Sequence, residues 1–76
     1  MTWEFDAYSF SETIRDRRKS MGLTQGELAD RAGCNLITIV NYESGYRLPR
    51  IDILLKLAKA LGFDDIRFKT DRKWYL

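Results

Sequence analysis

Histidine is absent from this chain, cysteine and proline occur once each, as Cys34 and Pro49, and no apolar run is long enough to cross a bilayer. Each absence removes a class of protein. Without histidine and with one thiol there is no usual zinc-ligand set, no intrachain disulfide and no Ser-His or Cys-His pair for nucleophilic catalysis. A glycine-rich phosphate loop is missing as well. The sequence therefore predicts no enzyme, no cofactor and no metal. The opening Met1-Thr2-Trp3-Glu4-Phe5-Asp6 lacks the basic start and apolar stretch of a secretory signal, so a cytoplasmic protein without membrane contact is expected.

Charge of one sign is also scarce, and a formal net charge of +2 is too small to argue for a nucleic-acid partner. Placement carries more information. Arg15, Arg17, Arg18 and Lys19 form one basic cluster, readable as a solvated face, and Tyr46, Arg47 and Arg50 form a second around Pro49. Seventy-six residues, 45% of them hydrophobic, suit one ordered domain, residues 1–76.

Short strands are expected at both ends. Trp3, Phe5 and Ala7 alternate with Glu4 and Asp6 before residue 8, and Ile66-Arg67-Phe68-Lys69-Thr70 alternate after Gly62, followed by a polar turn and Trp74-Tyr75-Leu76. Residues 1–8 and 63–76 are thus terminal extensions. They are expected to be strands used in dimerisation, although pairing with each other within one chain is also open to them.

Helical signals fill the middle. Ser9 is placed to cap a first helix whose apolar face reads Phe10, Ile14, Arg18 and Met21, ended by Gly22. Thr24 and Glu27 have capping-box spacing, with Leu23 and Leu28 as a hydrophobic staple. The second helix buries Leu28, Ala29 and Ala32 and stops at Gly33. Asn35 is placed to cap a third helix, residues 36–43, closed by Ser44-Gly45; its β-branched residues favour a strand locally, but the caps favour helix. Ile51, Leu54, Leu55, Ala58 and Leu61 define the core face of a fourth helix. Ile53 and Leu57 widen that face toward a partner subunit.

Two short helices joined by a glycine turn have the build of a helix-turn-helix. The wording goes further. Gly22-Leu23-Thr24-Gln25, Glu27-Leu28-Ala29, Gly33, Thr38-Ile39, Tyr42-Glu43, Gly45, Arg47, Pro49 and the run from Leu54 to Gly62 closely resemble the Cro/phage-repressor (Xre) helix-turn-helix family over residues 10–62. The resemblance implies a mainly α, lambda-repressor-like bundle of four to five helices with short terminal strands. The strand after Gly62 resembles that of HipB-like antitoxin repressors.

Site residues carry over position by position. Base contacts are implied for Asn35, Leu36, Ile37, Thr38 and Asn41, the last able to pair bidentately with adenine. Phosphate contacts are implied for Thr24, Gln25, Tyr46, Arg47 and Arg50. Leu36, Ile37 and Val40 stand where relatives generally carry polar base-reading residues; they meet DNA, or Leu36 and Val40 turn into the core or a subunit. Arg18 and Glu43 fall on buried faces, and relatives join these positions by a structural salt bridge. Cys34 reads as a buried, unreactive thiol. The function implied is a sequence-specific, double-stranded DNA-binding transcription regulator working as a homodimeric repressor. The alternative is a protein-interaction module that docks a partner such as a toxin.

Overall fold

The computed structural model describes residues 1–68, in which two short strands enclose four helices: β1 (Thr2–Phe5), α1 (Phe10–Ser20), α2 (Gln25–Ala32), α3 (Leu36–Glu43), α4 (Ile51–Ala60) and β2 (Asp65–Phe68). The expected turn and Trp74-Tyr75-Leu76 lie outside the described residues, as do Lys69 and Thr70 of the expected tail strand.

β1 is shorter than its alternation suggests because Asp6 starts a turn. Its carboxylate accepts from the Tyr8 N–H at 3.1 Å and its carbonyl from the Ser9 N–H at 3.2 Å. Ala7 is consequently exposed instead of continuing the strand's inner face. The expected cap is not made: Ser9 precedes α1 with φ −105° and ψ 3°, not the extended backbone usual for a capping residue, and its side chain makes no capping bond. Phe10, Ile14 and Arg18 are buried along α1 as their spacing requires.

α2 starts and stops where local chemistry dictates. The Glu27 N–H donates to Thr24 Oγ1 at 3.0 Å while the Thr24 N–H donates to Glu27 Oε1 at 2.8 Å, closing the capping box. At the other end Gly33 adopts φ 69° and ψ 34°, a left-handed conformation that a side chain would strain. That turn lets Cys34 and Asn35 carry the chain directly into α3. Asn35 is extended and its carbonyl accepts from the N–H groups of Thr38 at 3.0 Å and Ile39 at 3.3 Å, but its side chain makes no capping bond, contrary to the sequence reading.

α4 is rotated relative to expectation. Leu54, Leu57, Ala58 and Leu61 form its buried face, whereas Ile51 and Leu55, assigned to the core from sequence, are 57% and 55% exposed. Leu57, assigned to a partner surface, is fully buried. Both sets have helical spacing, so periodicity alone does not choose between them.

β1 and β2 pair with each other, in parallel, with Trp3 opposite Ile66 and Phe5 opposite Phe68. The four helices form the crossover that parallel strands require. Trp3, only 2% exposed, stacks on Phe63 with ring centroids 5.0 Å apart and on Phe10 at 5.9 Å. Such aromatic pairs contribute about 1 kcal/mol each beyond the area they bury. Arg17 ties the end of α4 to α1, donating from Nε to the Leu61 carbonyl at 2.8 Å, with its guanidinium 5.7 Å from the Phe63 ring centroid.

Candidate nucleic-acid interface

α3 is held by its inner face. Ile39, Tyr42 and Glu43 are buried, and the opposite side carries Ile37 at 62% and Leu36 at 52% exposure, with exposed Asn35 and half-buried Thr38, Val40 and Asn41 beside them. Leu36 is thus outside the core, one of the placements its sequence left open.

The anchor is an ion pair. Arg18 donates from Nε to Glu43 Oε2 at 2.6 Å and from Nη2 to Glu43 Oε1 at 2.9 Å, and its Nη1 donates to the Leu23 carbonyl at 2.8 Å. This two-pronged geometry joins the end of α3 to α1 and to the loop before α2. The hydrogen bond to Glu43 raises the guanidinium pKa further above its ordinary value, so Arg18 stays charged. Arg15 adds a bond from Nη1 to the Glu43 carbonyl at 3.3 Å. Arg15, Arg17 and Arg18 of the first basic cluster thus all serve internal acceptors.

Gln25 occupies the first position of α2, and its Nε2 donates to Glu43 Oε1 at 3.2 Å. An amide nitrogen carries two hydrogens, so one N–H remains for another acceptor. Thr24 beside it is exposed, its hydroxyl oxygen engaged in the capping box. The sequence reading singled out Gln25 and Glu43 but not their contact. They are eighteen residues apart, and no local pattern joins them.

On the other side of α3, Asn35, Thr38 and Asn41 share an open groove of about 450 Å³ with Arg47 and Arg50. The loop is tied to the helix, since the Asn41 carbonyl accepts from the N–H groups of Tyr46 at 3.0 Å and Arg47 at 3.4 Å. Tyr46 is 75% exposed, and Arg50 makes an exposed pair with Asp52 at 3.1 Å. Cys34 also lines the groove. It is half-buried, not fully buried as read from sequence, and that burial pushes its thiol above the ordinary value, which disfavours the thiolate.

Comparison with known proteins agrees with this arrangement. Residues 14–65 match a family model described as helix-turn-helix. An uncharacterized HTH-type transcriptional regulator of Methanothermobacter thermautotrophicus is 43% identical over 53 residues, covering 70% of this chain and 77% of its own length. The cryptic phage CTXphi transcriptional repressor RstR of Vibrio cholerae is 40% identical over 64 residues, 79% of this chain, which spans only 57% of that repressor. Among solved structures, the restriction-modification controller protein C.AhdI from Aeromonas hydrophila superposes with a TM-score of 0.72 at 32% identity, over 78% of this chain and 89% of its own. The chain belongs to the helix-turn-helix family of DNA-binding transcription regulators. Among the described residues no helix is long and apolar enough to cross a membrane.

Proposed function

We propose that this regulator is a homodimeric, cytoplasmic repressor that lays α3 in the major groove of double-stranded DNA. The observation that carries the reading is the groove in which Asn35, Thr38 and Asn41 of α3 lie with Arg47 and Arg50. Asn35, Leu36, Ile37, Thr38 and Asn41 follow the outer side of α3, Thr24 and Gln25 stand at the start of α2, and Tyr46, Arg47 and Arg50 follow in the loop after α3. In this reading the residues on α3 meet base edges, while the flanking donors and cations meet phosphates and fix the register. Arg18 and Glu43 touch no DNA and hold α3 at its angle.

One such helix spans only a few base pairs, so selective binding calls for two. The surface best suited to a second copy is formed by Leu48, Ile51 and Leu55, which are 55%, 57% and 55% exposed and idle in the core. A two-fold contact uses the same patch on both subunits, and an apolar patch buried against itself needs no other complement.

A competing reading makes α3 a docking surface for a protein partner such as a toxin, favoured by the exposure of Leu36 and Ile37. Salt dependence separates the two. Binding to duplexes selected from a random library, measured at several salt concentrations with Gln25→Ala and Asn41→Ala alongside, should be selective for two-fold symmetric sites. It should fall steeply with salt and be weakened by both substitutions. Weak, unselective binding that neither substitution alters overturns the repressor reading.

A further inference from the structure

The outer side of α3 is divided lengthwise. Leu36, Ile37 and Val40, spaced i, i+1 and i+4, make an apolar strip; Thr38 and Asn41, spaced i and i+3, make a polar one. The polar strip faces the groove lined also by Arg47 and Arg50. The apolar strip has no such neighbours in that groove, and its two leading side chains, Leu36 and Ile37, are the more exposed. The core does not use them, because Ile39 and Tyr42 already anchor the helix.

We propose that this apolar strip, with Ile37 its most exposed member, reads the 5-methyl groups of thymine, so that thymines at fixed positions of each half-site determine specificity. The inference rests on the DNA-binding reading above and deepens it. In the major groove the bases present donors and acceptors, and thymine alone adds a methyl group, at C5, beside its O4 acceptor. A cytosine amino group or a guanine O6 pressed against Ile37 loses water and gains no partner, whereas a thymine methyl meets side-chain methyls. A recognition helix contacts base edges chiefly through its N-terminal residues, and Leu36 and Ile37 form that first turn. The surroundings favour DNA over an apolar protein surface as the occupant. Asn41 offers a bidentate pair to a neighbouring base, and Arg47 and Arg50 beside it complement phosphate.

The test replaces single thymines with deoxyuridine in a duplex selected by this chain. This removes one methyl and leaves every hydrogen-bonding group in place. At the contacted positions the wild-type dissociation constant should rise about fourfold per methyl, the value of one buried methylene-sized group. Ile37→Ala should bind the thymine and deoxyuridine duplexes nearly alike at its own position. Because Ile37 is exposed, its thermal melt should match wild type, which separates lost contact from lost folding. Selective binding with no deoxyuridine penalty anywhere overturns the inference, as does a penalty that Ile37→Ala and Leu36→Ala leave unchanged. Failure of the DNA-binding reading itself appears earlier, as a library that yields no preferred sequence.

Discussion

Gln25 at the start of α2 donates to Glu43 at the end of α3, and the same carboxylate is gripped by two nitrogens of Arg18. The buried ion pair therefore does more than join helices. It leaves the Gln25 amide with its nitrogen toward Glu43 and one N–H unspent, at the helix end where an anion is favoured.

Removing one partner of this pair strands the other. Arg18 and Glu43 expose only 10% and 4% of their side chains, so Arg18→Ala should lower unfolding stability by about 3 kcal/mol or more, read from urea denaturation. An unfolding midpoint equal to wild type would show that the pair does not hold α3.

Two residues that line the α3 groove should fail in different ways. Arg47→Ala should weaken binding to all duplexes alike and reduce the slope of log affinity against log salt by about 1, as expected for a lost phosphate contact. Asn41→Ala should instead relax preference at one base pair, with a loss of about 1–3 kcal/mol on the preferred sequence. Identical profiles for the two variants would undo the division between base and backbone contacts.

Leu55 and Leu57 are two residues apart on α4, and they should behave oppositely. Leu57 is fully buried, and Leu57→Ala should cost about 2–5 kcal/mol. Leu55→Asp should leave the subunit folded but shift sedimentation from dimer to monomer. A variant that still sediments as a dimer would move the interface away from Leu48, Ile51 and Leu55.

The capping box carries a pH signature. Hydrogen bonds from the Thr24 backbone N–H, then from its side chain, hold the Glu27 carboxyl below its ordinary value. A carboxyl lowered on folding stabilises the native state above its unfolded pKa, and that contribution disappears as pH falls through the lowered folded value. Glu27→Gln should therefore melt below wild type at neutral pH, and the gap should close as the solution is acidified beyond the usual carboxylate range. A gap independent of pH would assign the effect to packing.

Local chemistry made much of the helical frame legible in the sequence. Thr24, Glu27 and Gly33 bound α2 through contacts within a few residues, and the periodicity of Phe10, Ile14 and Arg18 marks the inner face of α1. The pairing of Arg18 with Glu43 was legible only through family resemblance, as two charges on buried faces. Ser9 and Asn35 precede their helices as read, yet neither side chain makes a capping bond, because a residue type that can cap also has other local options.

What the sequence by itself determined is where the helices begin and end and which charges must find partners, since these depend on neighbours along the chain. Tertiary structure decided the rest. The rotation of α4 that buries Leu57 and exposes Ile51 and Leu55, the parallel pairing of Trp3 with Ile66, and the bond from Gln25 to Glu43 all join distant segments. Two apolar faces of similar spacing, or two strands with several available partners, are equivalent until the whole core is assembled and one arrangement fills it.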